Sequence, residues 1–405
     1  MYKDISKINS DIEYFFNTNA KNNTIPFSKN SFQKRKKFVG CVYKIRTKHF
    51  NFSSVVKMIG FINGVNAHYS NQKIPILFDI TATEPIDKLS INLLELIAYH
   101  LLVNLNQKIV FVYSFTKTIV TDQMKNNAFT YLGLSNYSKS QFVERFLDFH
   151  KGSKYREFYQ SSDGEELGKL LSQIQLNYMV FCQMHGIESS TARHIGKLIS
   201  ELVDNSIIHA NSSALVDLDI AKNFSNSQTG MKVTGVNVTV LNISNTLFFE
   251  GVKEKLEIFD NNIDVYKSSQ LFETYNNISV AYKFHKKYFS QKYTENHFWE
   301  IASLQHHISG RENRFNTNGV GMTKLIKLIQ EFSDNDYSYI ASGTAGIWFR
   351  QHLMRTVDSE HRMLGFNTEN NFFKNIPDDD TLGYSKLFIP GTFLNLSFAI
   401  KNNED

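Results

Sequence analysis

The stretch ELVDNSIIHA, residues 201–210, ends a helical pattern in which apolar residues recur every three or four positions. At about 100° per residue, these side chains cover one half of the helix, and that half needs a second layer to pack against. The pattern therefore predicts a helix that is buried on one side in a layered core. The apolar residues are Ile195, Leu198, Ile199, Leu202, Val203, Ile207 and Ala210.

Glu201 and Asn205 lie one turn apart, just outside this apolar half, and His209 follows along the same line. The two side chains are about 40° apart around the helix axis, where a helix borders a cavity. An amide oxygen is a neutral ligand suited to magnesium, and a carboxylate can orient or deprotonate a water. The pair therefore predicts a metal–nucleotide site, and the alternative is a solvated flank of the helix.

The elements around this helix predict an α/β sandwich with helices on one sheet face. Gly186 is expected to end the preceding helix, and Ser189 or Ser190 to begin the next. A long aromatic and basic segment, residues 247–318, separates the early strands from the last helix and strands. The predicted elements are helices 165–186 and 189–210, strands 213–221 and 236–244, helix 318–332, and strands 337–349 and 388–400.

Two glycine-containing motifs add to the predicted site. Gly319 and Gly321 precede an amphipathic helix, and unshielded backbone amides at a helix start can bind phosphate oxygens. Pro390-Gly391-Thr392 places a glycine and a hydroxyl at the opening of the last strand. An ordinary tight turn is the alternative for the first motif.

The 405 residues are enough for two domains. Residues 73–115 read as strand, helix, strand, which is a βαβ unit with parallel strands. The sequence thus predicts a small α/β regulatory or partner-binding domain over residues 1–150 and a second domain over residues 165–400. The acid directly after the first strand of this unit, Asp79, is similar in placement to the pattern of STAS regulatory domains.

Taken together, residues 165–400 resemble the GHKL ATP-binding fold, or Bergerat fold, of gyrases, ninety-kilodalton heat-shock chaperones, histidine kinases and mismatch-repair proteins. ELVDNSIIHA resembles its N-box, NGVGMTKLIKLI its glycine box, and IPGTFLNLSF its terminal strand. The resemblance implies that Asn205 binds Mg²⁺ and bridges the ATP phosphates, and that Glu201 activates a water. It further implies a phosphate-binding and lid role for Gly319 and Gly321, and a place near the adenine for Thr392. Asp204, in the same N-box, is a further candidate for the cofactor site.

One motif departs from the family. Asp-x-Gly-x-Gly is expected after the strand VNVTVLN, where this chain has Asn242-Ile243-Ser244-Asn245-Thr246. Asn242 keeps a carbonyl acceptor for the adenine amino group, although an amide accepts less strongly than a carboxylate. Ser244 and Thr246 crowd a turn meant for glycine. The pocket therefore either takes ATP in an altered way or has become a scaffold.

Two further predictions concern the basic segment over residues 247–318. Arg311 and Arg314, shortly before Gly319, are candidates for reaching the terminal phosphate of the nucleotide. A zinc site built from His297, His306 and His307 is an alternative use of the segment, but no cysteine or carboxylate completes a recognisable ligand spacing.

Charge and cysteine content constrain partners and location. Residues 1–60 hold 12 Lys and Arg against 3 Asp and Glu, with a cluster over residues 34–37. Such a cluster can bind nucleic acid or an acidic partner, and a solvated basic turn is the alternative. The 2 cysteines, Cys41 and Cys182, have no partner motif, and no long apolar run is present, so we expect a cytoplasmic protein without membrane association.

The function implied by the resemblance is that of a cytoplasmic Mg-ATP-binding regulatory protein. Slow ATP hydrolysis, or phosphotransfer to a protein partner, would be joined to lid closure as the switch. A protein kinase of the anti-sigma kind and a dimerising ATPase are two versions. Histidine autophosphorylation is disfavoured, because neither His185 nor His194 is followed by the acid that it needs. The alternative is a non-catalytic interaction module with a degenerate pocket.

Overall fold

A computed structural model of the chain describes residues 3–20, 23–35, 37–70, 72–113, 127–160, 165–210, 212–225, 230–261, 272–305, 321–333, 337–354 and 363–401. The predicted α/β class is confirmed, because helices cover a four-stranded and a six-stranded sheet. Within these ranges, no helix is long and apolar enough to cross a lipid bilayer.

The N-terminal unit is a mixed sheet with crossover helices. Its strands lie in the order β1-β2-β4-β6, with β1 antiparallel to β2 and the other pairs parallel. The predicted strand–helix–strand unit is confirmed as β4–α3–β6, and the Asp87 side chain caps α3 by accepting the Ser90 N–H at 2.7 Å. The elements are α1 Ile5–Ala20, β1 Phe32–Arg35, β2 Phe38–Lys44, β3 His49–Phe50, α2 Phe52–His68, β4 Ile76–Asp79, β5 Glu84–Pro85, α3 Lys88–Tyr99 and β6 Ile109–Val112.

The second unit is built on a six-stranded antiparallel sheet in the order β11-β12-β10-β9-β8-β7. This sheet begins at Asp148, so the second unit extends further toward the N-terminus than the predicted start at residue 165. Its elements are α4 Lys139–Leu147, β7 Asp148–Lys151, β8 Lys154–Tyr159, α5 Glu165–Met184, α6 Ser189–Ala210, β9 Ala214–Ser225, β10 Lys232–Ile243, α7 Glu250–Asn261, α8 Phe272–His285, α9 Glu295–Ser303, α10 Gly321–Phe332, β11 Tyr339–Trp348 and β12 Leu382–Lys401.

Helices α5, α6 and α10 cover the front face of this sheet, where they share one core with Val238 and Val240 of β10. Gly186 ends α5 as predicted: its φ is +86°, and the Ile187 N–H donates to the Cys182 carbonyl at 3.1 Å. Helix α6 begins at Ser189, but its cap is Glu188, whose carboxylate accepts the backbone N–H of Ser190.

The back face of the sheet is also covered, by α1 and α3 of the N-terminal unit. Leu241 and Ile243 of β10 and Phe393 of β12 lie in the same apolar core as these two helices. The sequence predicts helices on one face only. The structure adds a layer because the back face of β10 ends in the apolar residues Leu241 and Ile243, and an exposed apolar sheet face would be unfavourable.

Six buried charges join α3 to the back of the sheet, three of each sign. Asp217 accepts from Arg156 Nε at 2.7 Å and lies 2.8 Å from Lys88 Nζ, while Arg156 also pairs with Glu95. Each of the six is at most 4% exposed. We call this set the interlayer charge cluster: Lys88 and Glu95 of α3, Lys154 and Arg156 of β8, and Asp217 and Asp219 of β9.

The interlayer charge cluster predicts a large loss of stability when one charge is removed. Asp217→Asn leaves three buried cations against two carboxylates, and an uncompensated buried charge typically costs about 3–5 kcal/mol. Urea unfolding should show a lower midpoint with an unchanged slope. Asp379→Asn removes one partner of the exposed Lys292–Asp379 pair and is the matched control, with no expected change in midpoint. Equal midpoints for the two variants would contradict this role.

The same cluster predicts an acid-sensitive contribution to folding. Burial alone would raise the pKa of Asp217, but the charges of Arg156, Lys154 and Lys88 outweigh it and hold that pKa well below its usual range. The stabilisation is therefore complete above the unfolded pKa of about 3.9 and is lost as pH falls toward the folded value. The gap in unfolding free energy between wild type and Asp217→Asn should narrow below about pH 4. A constant gap from pH 7 to pH 3 would exclude this linkage.

Candidate functional site

Helix α6 has a polar edge, formed by Glu201, Asp204 and Asn205, just outside its buried apolar arc, as the sequence predicts. Glu201, Asp204 and Asn205 are half-buried, whereas the apolar arc of the helix, represented by Ile199 and Val203, is fully buried. The three polar residues are spaced by three and four positions, so they share one side of the helix. The side chain of His209 lies outside the described residues.

Asn242 at the end of β10 is turned toward the C-terminal part of α6. Its side-chain NH₂ donates to the Ser212 hydroxyl, and to the carbonyl oxygens of Ser206 and Ser213 at 3.4 Å each. Because carbonyl oxygens only accept, the NH₂ must face them, and the amide oxygen Oδ1 is directed away from them. The orientation of this amide is thus fixed by its surroundings, in a residue that is only 2% exposed.

Thr392 of β12 lies directly opposite Asn242 in the β10–β12 register. Directly opposite residues project from the same sheet face, so the half-buried Thr392 shares the front face with Asn242 and α6. The adjacent pair, Leu241 and Phe393, faces the back layer instead. The structure therefore brings Thr392 and Asn242 together on the front face, where Asn242 contacts the backbone of α6 at Ser206.

Gly391 allows β12 to approach β10 at this point. Its φ is +93°, and a Cβ added there would lie 2.2 Å from the Asn242 carbonyl oxygen. The prediction that Pro390-Gly391 opens the last strand is wrong, since β12 already begins at Leu382. The glycine instead lies at an irregularity within the strand, where pairing with β11 shifts and the Ser342 hydroxyl donates to the Gly391 carbonyl at 2.5 Å.

The glycine box is described only in part. Helix α10 begins at Gly321 and buries Leu325, Ile326 and Ile329, as its pattern predicts, and it packs against α6. The predicted phosphate-binding residues Arg311, Arg314 and Gly319 lie outside the described residues.

His297, the first of the three candidate zinc ligands, has both ring nitrogens engaged within the protein. His297 is fully buried; its Nδ1 accepts the Thr294 N–H at 3.1 Å, and its Nε2 contacts the Gly383 carbonyl at 2.7 Å. Burial lowers the pKa of His297, which favours the neutral ring that these two bonds require. His306 and His307 lie outside the described residues, and among those described no group of three or more His, Cys, Asp and Glu is placed to hold a metal ion.

Two described cations of the β1–β2 hairpin, Lys34 and Lys44, lie on opposite faces of the sheet. Lys34 pairs with Val39, and Lys44 lies five residues after Val39 in the same strand, so Lys34 and Lys44 start from opposite sheet faces. Lys44 also contacts Asp79 at 3.7 Å. This arrangement gives the nucleic-acid alternative less support than the run of basic residues in the sequence suggests.

The two serines that contact Asn242 were not predicted from the sequence. Ser212 and Ser213 are nearly buried, and they lie in the turn after α6. Serine is common in any turn, so its presence there predicts no particular contact. Their placement beside Asn242 depends on the pairing of β9 with β10, which aligns Ala214 with Asn242.

The close approach at Gly391 predicts a specific cost for a side chain there. Gly391→Ala and Gly186→Ala both force alanine into a positive φ, which costs roughly 1–2 kcal/mol. Only Gly391→Ala adds an overlap with Asn242, because nothing lies within 4 Å of a Cβ at Gly186, and overpacking typically adds about 1–3 kcal/mol. Chemical denaturation should therefore show a larger loss of unfolding free energy for Gly391→Ala than for Gly186→Ala. Similar losses would mean that β10 and β12 separate easily.

Comparison of the chain with protein-family models, with curated proteins and with solved structures finds no match. Support for a function therefore comes from the chain itself. It consists of three motifs resembling those of the GHKL fold, of the contact of Asn242 with α6 at Ser206, and of the pairing of Asn242 with Thr392.

Proposed function

We propose that this chain is a cytoplasmic Mg-ATP-binding regulatory protein of the GHKL type. The observation that carries the proposal is the hydrogen bond from Asn242 to the carbonyl of Ser206, the residue after Asn205, together with the pairing of Asn242 with Thr392. These contacts support the proposal because they join the two residues predicted to bind the base to the helix predicted to bind the metal. Such convergence of polar groups at one end of a sheet is typical of ligand sites.

Each residue has a role that its chemistry permits. Asn205 supplies a neutral oxygen to Mg²⁺, and Glu201, one turn earlier, orients the water or hydroxyl that attacks the terminal phosphate. Asp204 contributes a second acidic group beside the metal. Asn242 accepts from the exocyclic amino group of adenine through Oδ1, with Thr392 beside it.

The remaining predicted residues belong to the phosphate end. Gly319 and Gly321 would present backbone amides to the phosphates, with Arg311 and Arg314 on the terminal one. Closure of this segment over the nucleotide is the proposed switch, and slow hydrolysis or phosphotransfer to a protein partner resets it. A homodimer is compatible with this scheme.

A second candidate is a non-catalytic interaction module with a degenerate pocket. Two observations favour it. Asn242 is nearly buried and uses its NH₂ within the protein, and Ser244 occupies the expected place of a glycine, with its hydroxyl donating to the Thr246 carbonyl at 2.8 Å. A pocket filled by such contacts would keep the fold without turnover.

The two candidates differ in what calorimetric titration with ATP and Mg²⁺ would measure. We expect binding by the wild-type chain, loss of at least tenfold in affinity for Asn205→Ala, and retained binding with loss of phosphate release for Glu201→Gln. His194→Ala, at an exposed position near the start of the same helix, is the control and should match wild type.

Absence of heat with wild-type protein would reject the nucleotide proposal and leave the interaction module. Binding that is equally strong in Asn205→Ala would show that the nucleotide lies elsewhere. Phosphate release that persists in Glu201→Gln would remove Glu201 from the reaction while leaving the pocket in place.

A further inference from the structure

Helix α1 crosses the back of the sheet behind the proposed pocket. Ile8, Ile12 and Phe15 are buried in the core that also contains Leu241 and Phe393 of the sheet. The ring of Phe15 lies 5.7 Å from that of Phe393, the residue after Thr392. The helix therefore packs directly under the two strands that carry Asn242 and Thr392.

One polar contact of α1 reaches the serine turn that holds Asn242. The Asp11 carboxylate accepts the backbone N–H of Ser213 at 3.2 Å. Ser213 gives its carbonyl, and Ser212 its hydroxyl, to the Asn242 side chain. The position of this turn sets which way the Asn242 amide faces, so Asp11 acts on Asn242 through one intermediate segment.

A second polar contact reaches the strand that carries Thr392. The Asn19 side chain donates to the Phe388 carbonyl and accepts the Phe388 N–H, both at 2.8 Å. It thereby satisfies both backbone groups of Phe388, as a neighbouring strand would. The last residue pair of β10 with β12 is Ile243–Gly391, so Asn19 holds β12 beyond the end of that pairing.

We propose that α1 is a positioning element of the nucleotide pocket, and that Asp11 and Asn19 fix the orientation of Asn242 and the position of Thr392. This inference rests on the proposed function. The expected consequence is selectivity for the base: a fixed Asn242 Oδ1 accepts from the amino group of adenine but offers no donor to the keto group of guanine.

Helix α1 is also tied to the N-terminal unit, by contacts on its other side. The Tyr99 hydroxyl donates to Asn9 Oδ1 at 2.8 Å, and the rings of Phe16 and His100 stack with centroids 4.1 Å apart. A partner that shifts the end of α3 would therefore move α1. The helix thus gives the N-terminal unit a physical route to the pocket.

The test compares Asp11→Ala, Asn19→Ala and Asp11→Asn with Asn17→Ala, at an exposed position of the same helix, as the matched control. We expect Asp11→Ala and Asn19→Ala to bind ATP roughly tenfold more weakly, from loss of a buried hydrogen bond, and to lower the ratio of ATP to GTP affinity. Asp11→Asn keeps an oxygen acceptor for Ser213 and should restore both values. Asn17→Ala should match wild type.

General destabilisation would weaken ATP and GTP alike, so an unchanged affinity ratio in Asp11→Ala and Asn19→Ala would overturn the proposal. An equal effect of Asn17→Ala would also overturn it. Hydrogen exchange of the ligand-free protein supplies a readout that needs no nucleotide: residues 206–213 should lose protection in Asp11→Ala, and residues 388–394 in Asn19→Ala. If wild type binds no nucleotide, the proposed function fails, and unchanged exchange would then reject the positioning role as well.

Discussion

The contact between α3 and the back of the six-stranded sheet determines which surfaces remain for a ligand. Its charges balance, and Arg156 and Asp217 at its centre are fully buried, so separation of the layers would expose ion pairs and apolar surface together. The N-terminal unit is thus a layer of the same core as the sheet. The back face is closed by this layer, and Asn242 and Thr392 lie on the opposite, front face, where Asn242 contacts α6.

Local periodicity was sufficient to predict some of the elements but not the contact between the units. The apolar arc of α6 and the β4–α3–β6 unit follow from repeats within a few residues, which a sequence displays directly. On α3, Lys88, Asn92 and Glu95 have the spacing of an ordinary solvated helix face. Their burial depends on Arg156 and on Asp217 and Asp219, more than sixty positions away, and a single sequence carries no signal for that pairing.

The candidate site likewise has residues that local sequence predicts and contacts that it does not. Glu201 and Asn205 are predicted because one helix carries both, and Thr392 is predicted because a glycine precedes it. Gly391 was singled out in the sequence, but the residue must be glycine because the Asn242 carbonyl of β10 lies close to it. This approach follows only from the register of β10 and β12. The contributions of α1 to this end of the sheet come from Asp11 and Asn19, two polar residues in a helix whose sequence suggests nothing about the pocket.

The serine turn explains why an amide rather than a carboxylate stands at position 242. The side chain there faces two carbonyl oxygens, those of Ser206 and Ser213, which can only accept. An aspartate would place its negative charge against both in a nearly water-free site, where an unpaired charge is costly. The amide donates to them and still has one acceptor to direct elsewhere. The departure from Asp-x-Gly-x-Gly is therefore matched by its surroundings, because an amide can donate to both carbonyl oxygens and a carboxylate cannot.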